Sequence, residues 1–135
     1  MNIDNETKNI ITITNDGSGA SKFSTREFSL SGDKLRRLSE QIPAENFRLR
    51  TSSADYSSGY HVAGDPTLLI ILNGVFRLQL RNGDHHDFAT GEMFIAQDYL
   101  AAGVQFDDSL HGHRAEVVGE KPAFVLHLKL EKRYA

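Results

Sequence analysis

The chain has 135 residues, 39% of them apolar, no cysteine, and a formal net charge of −3. This size suits one domain with one core, while the missing thiols exclude disulfides, thiolate metal sites and cysteine nucleophiles and fit a cytoplasmic protein. Fifteen scattered Lys and Arg make no phosphate-tracking stripe, and no run approaches the ~20 apolar residues of a membrane span, so neither nucleic acid nor membrane is an expected partner.

The opening Met1-Asn2-Ile3-Asp4-Asn5-Glu6 has no basic n-region or apolar h-region, so no signal peptide is expected. Residues 1–9 are polar and read as a flexible tail, with a single domain over 10–135. Ile10, Ile11 and Ile13, interleaved with threonines, form a β-branched first strand. Asn15-Asp16-Gly17-Ser18-Gly19 turns the chain, and Phe23 to Leu30 reads as the second strand. Asp33 to Gln41 carries the one helix signal: Asp33 as cap, Leu35, Leu38 and Ile42 on a face, Pro43 as stop.

From Phe47 onward the pattern is β. Phe47 and Leu49 alternate with Arg48 and Arg50, and Leu68 to Leu72 is a dense apolar run of strand length. Phe76, Leu78 and Leu80 alternate with Arg77, Gln79 and Arg81, and Asn82-Gly83 predicts a type I′ hairpin turn. Met93-Phe94-Ile95-Ala96 follows Gly91. In the last strand Phe124, Leu126, Leu128 and Leu130 read as the inner face, with Val125, His127 and Lys129 outside. Many short strands, glycine turns and one small helix predict an all-β sandwich or barrel.

Gly59-Tyr60-His61, Asn73-Gly74, Asn82-Gly83-Asp84 and Thr90-Gly91-Glu92-Met93 resemble the two motifs of the cupin superfamily. Anchored on Gly74, the first motif's histidines fall on His61 and Ala63 and its glutamate on Thr67. The second motif begins at Gly91, has Gln97 in place of its usual proline, and reaches its histidine at His113, or less well at His111. Along nearly the whole chain the likeness is to small single-domain bacterial cupins of the RmlC-like type with no assigned role. Gly112-His113-Arg114 and the stretch from Val117 to Ala123 carry that wider match. The resemblance implies a cupin-type double-stranded β-helix, a jelly-roll barrel, and a homodimer.

Cupin sites usually offer three histidines and a carboxylate to Fe, Ni, Mn, Cu or Zn. Ala63 and Thr67 lose two of those four ligands. The leading expectation is therefore a small-molecule site in the barrel mouth, formed by His61, Thr67, Gln97, Asp98, Tyr99 and His113. The alternative is a metal-dependent isomerase or oxygenase. In it His61, His111 and His113 are ligands, because residues two apart on a strand share a face, and Asp98 is a carboxylate ligand or general base. Against both stands a plain reading in which His61 and His113 are hydrogen-bonded inside the barrel. The segment Tyr99 to Leu110 reads as an insertion, either a lid over the mouth or packing on the exterior. His85-His86 reads as an exposed turn. The arginines at 48, 50, 77, 81 and 114 read as solvated, with any that point inward able to hold a carboxylate or phosphate.

Overall fold

The computed structural model describes residues 4–134. Ten strands follow in order: β1 (Asp4–Asn15), β2 (Ser21–Gly32), β3 (Arg37–Leu38), β4 (Ala44–Ser52), β5 (Thr67–Asn73), β6 (Val75–Gln79), β7 (His85–Ala89), β8 (Met93–Ala96), β9 (Arg114–Val117) and β10 (Ala123–Leu130). They form a seven-stranded sheet, β3-β2-β1-β8-β5-β10-β4, and a three-stranded sheet, β7-β6-β9. The fold is all-β, as expected from the strand pattern.

Side chains from both sheets meet in one core. Ile13, Ile71, Phe94 and Val125 of the large sheet pack with Phe76, Leu78, Phe88 and Val117 of the small one. A second cluster of Phe28, Ile95, Leu130 and Tyr134 lies on the other face of the large sheet, since Ile95 alternates with the core residues Phe94 and Ala96. Tyr134 thus brings the end of the described chain back over β8 and β2.

Three local expectations change. Residues 4–9, read as part of a tail, belong to β1 and pair with β2 from Asp4↔Gly32 onward; residues 1–3 lie outside the described part. The helix over Asp33–Gln41 does not form, and among the described residues there is no helix. Asp33 does cap, accepting from the Leu35 and Arg36 amides at 2.9 and 3.1 Å, but it closes a tight turn between β2 and β3. A helix of two turns carries the full cost of nucleation with few bonds to offset it, and Leu35 and Leu38 are left 96% and 60% exposed.

The Asn82-Gly83 turn also differs in type. Gly83 has φ +95° but no non-glycine residue among those described has positive φ, so type I′, which needs positive φ at both Asn82 and Gly83, is not formed here. Gly83 N–H donates to Leu80 O at 3.1 Å and Leu80 N–H to Asp84 O at 2.8 Å. This is a three-residue loop ending in a left-handed glycine, the next commonest hairpin solution.

Candidate functional site

Between the sheets lies a cavity of about 200 Å³. Its apolar wall includes Leu69, Phe76, Leu78 and Phe94, and its polar lining is Arg50, His61, Thr67, His113 and His127. An adjoining groove of about 240 Å³ shares Ala63, Thr67 and His127 and adds Asn46, Arg48, Asp65 and Lys129.

His61 and His113 are brought together by the backbone. Each residue's N–H donates to the other's carbonyl at 2.9 Å, placing the ring centroids 4.8 Å apart. Gly112 makes this approach feasible. It has φ +89°, and a Cβ there would lie 2.7 Å from the His61 carbonyl oxygen.

Asp98 organises the site from behind. Fully buried, it accepts from Ser21 Oγ at 2.6 Å and from the Ala63 amide at 3.0 Å, and it pairs with His113 Nδ1 at 2.7 Å. A buried carboxylate needs such donors to be tolerated. Its acceptor role places the proton on His113 Nδ1 and leaves Nε2 as the nitrogen free for other partners. His61 Nδ1 is likewise engaged, 3.0 Å from Gly59 O.

The other expected ligands lie elsewhere. Gln97 is buried, and its amide clamps the backbone of Tyr134, accepting from the N–H at 2.9 Å and donating to the carbonyl. Tyr99 is half-exposed under the guanidinium of Arg133, 4.1 Å from its ring centre. Thr67 does line the cavity, with its hydroxyl donating to Asp65 O at 3.0 Å.

His111 does not join His61 and His113. The left-handed Gly112 breaks the alternation that would have put His111 and His113 on one face, and β9 starts only at Arg114. His111 instead accepts from the Asp107 amide at 2.9 Å and lines a separate cavity with the Asn15–Gly19 turn, Tyr99 and Val104. Among the described residues, no three His, Asp or Glu side chains gather as a metal-binding group. With Asp98 committed to three donors and Ala63 and Thr67 offering no strong ligand, the donor set does not fit a resident three-histidine metal.

No residue of the 99–110 segment lines the central cavity. Arg81 holds it aside: its guanidinium donates to His111 O at 2.9 and 3.1 Å and to Asp108 at 2.9 Å, and stacks 3.8 Å above Tyr60. Arg77 pairs outward with Asp87 and Glu116, as the alternation of β6 implied, and Arg114 on β9 pairs with Glu116 and Ser57. His85 is exposed at the β7 end, whereas His86 tilts onto Phe88 at 4.3 Å.

The sequence reading put Arg50 and His127 on the solvated side, with Arg50 an anion holder only if it pointed inward, as it does. His127 was placed on the outer face of β10, but β10 is turned over. Val125 is fully buried and His127 lines the cavity, while Phe124 is 38% exposed. Directly opposed strand residues share a face, so the pairings Val125↔Arg50 and His127↔Arg48 turn β4 the same way. Burial first, then the charges of Arg50 and Arg48, hold the His127 imidazole below its ordinary value of 6.5, and its Nε2 is buried without a hydrogen-bond partner.

Neither a protein-family model nor a curated protein matches the chain. Among solved structures it is similar to protein NMB1881 from Neisseria meningitidis, at 20% identity and a TM-score of 0.46, covering 68% of this chain and 84% of that one. It is also similar to the QdtA 3,4-ketoisomerase from Thermoanaerobacterium thermosaccharolyticum, a double mutant in complex with TDP. That match has 14% identity and a TM-score of 0.45, over 94% of this chain and 82% of the other. Identities this low carry no activity from one chain to another.

Proposed function

We propose that the chain binds a small molecule in the cavity between its sheets. The observation that carries this is the cavity itself: an apolar wall with a few convergent polar groups is how small-molecule sites are built. The positioning of the His61–His113 pair supports it, because Asp98, Ser21 and Gly112 fix ring positions that core packing alone does not require. Thermal-shift screening of the intact chain against sugars, organic acids and nucleotides should raise the Tm with at least one compound. The shift should vanish in His61→Ala and in Ala115→Leu, which fills the cavity. No compound shifting the Tm, together with substrate turnover by protein carrying a stoichiometric transition metal, would replace this reading with a metal-dependent enzyme.

We further propose that two copies pair through the outer face of the large sheet. Register lines up Leu49, Leu126, Ile70 and Met93 across four strands, with Phe47, Leu128 and Leu68 in the next row. Phe47 and Leu49 are 64% and 55% exposed. A continuous apolar face of this kind favours a second, identical face over solvent.

A further inference from the structure

Resting on the small-molecule reading, we infer that the ligand is a small organic acid whose carboxylate is held by Arg50. The cavity is lined by Arg50, His61, His113 and His127, and no Asp or Glu lines it. Asp98 is buried behind His113 and committed to its three donors. Asp65, in the adjoining groove, is engaged by Lys129 at 3.2 Å. Among the described residues, no acidic side chain therefore faces the cavity to pair with Arg50.

Arg50 is prepared for an anion. Its Nε donates to Ser52 Oγ at 3.1 Å and its guanidinium carbon lies 4.6 Å from the Tyr56 ring centre, which together fix the plane of the group. Among the described residues no carboxylate pairs with it, and its two Nη groups have no hydrogen-bond partner. Those groups form the edge that takes a carboxylate in two parallel bonds. A half-buried guanidinium with no counter-charge is costly, and a bound anion removes that cost.

His127 adds a second mark of an absent partner. Its Nε2 is buried and unbonded on the strand beside Arg50. The apolar lining, Leu69 and Phe94 on the same sheet and Phe76 and Leu78 on the facing one, offers nothing to a second charge and suits a hydrocarbon or ring. At about 200 Å³ the space is below the roughly 300–1,000 Å³ of drug-sized pockets, so the acid is short.

Calorimetry on the full chain tests this with aliphatic and aromatic monocarboxylic acids of three to eight carbons, each beside its amide and its amine. At least one acid should bind about tenfold or more tightly than its amide, the amine not at all. Arg50→Gln should remove the preference for the acid and leave amide affinity in place. Arg77→Gln, on the outer face of β6, should change neither. Amides or amines binding as tightly as acids, with both lost in Ala115→Leu, would overturn the acid assignment while keeping the small-molecule site. An acid preference that survives in Arg50→Gln would overturn the role of Arg50. Failure of every acid, amide and amine would overturn the acid assignment, and failure of the wider compound screen as well would remove the binding reading beneath it.

Discussion

Asp98 is the residue on which the site depends. Replacing it with alanine would leave the Ser21 hydroxyl, the Ala63 amide and His113 Nδ1 facing an uncompensated hole. We expect Asp98→Ala to lose about 3–5 kcal/mol of stability, the cost of breaking a buried charged network, and Ser21→Ala about 1 kcal/mol. Urea unfolding of the two variants checks both. His127 gives a pH signature. Its folded form resists protonation, by burial first and then by the charges of Arg50 and Arg48. Of the other charged groups in the groove, Lys129 and Asp65 are paired with each other, the lysine also with Glu45. The unfolded chain takes up its proton near 6.5 and the folded chain only at lower pH, so His127 makes stability fall as pH drops through and below 6.5. His127→Gln should flatten that part of the curve, as read by Tm between pH 7.5 and 5.

At the scale of elements, the decisive join is the short bridge between His61 and His113. A side chain at position 112 would strike the His61 backbone and also strain a left-handed residue. Gly112→Ala should therefore separate the two histidines, lower the Tm and abolish any ligand response, whereas the same change at Gly59, where a Cβ meets open space, should leave the ligand response intact. Strands were legible in the sequence wherever one face was clearly apolar. In β6, Phe76, Leu78 and Leu80 are at most 3% exposed, as their alternation with Arg77 and Gln79 implied. The reading failed on β4 and β10, where the hydrophobic face looks outward and Arg50 and His127 look inward. The failure has a physical cause: a strand that must line a polar cavity puts its polar residues inside, so hydrophobicity selects the wrong side. His61 and His113 were legible because motif spacing does not depend on which face is apolar. His111 misled because its alternation with His113 assumed an unbroken strand through Gly112.

For the whole molecule, the apolar outer face makes the strongest demand. Its rows cross β4, β10, β5 and β8, from the β4 edge of the sheet inward, beside the smaller cluster that Ile95, Leu130 and Tyr134 form on the same outer face. We expect the chain to elute as a dimer at micromolar concentration, and Leu49→Glu or Phe47→Asp to give a folded monomer, because a charge buried at such an interface is disfavoured while at an exposed position it is harmless. Size-exclusion chromatography with light scattering distinguishes the two states. A wild-type monomer would leave the exposed leucines and phenylalanines without a role.

The order of the large sheet also fixes when the site can exist. β4 has only β10 as a hydrogen-bonded neighbour, and β1 finds β8 only across most of the chain. Such distant pairings make closure slow compared with local hairpins. During synthesis β1 and β2 can zip as soon as they emerge, whereas β4 must wait, unpaired, for β10 to leave the ribosome. Arg50 rides on that waiting strand, so the cavity wall it contributes forms only after β10 has been made.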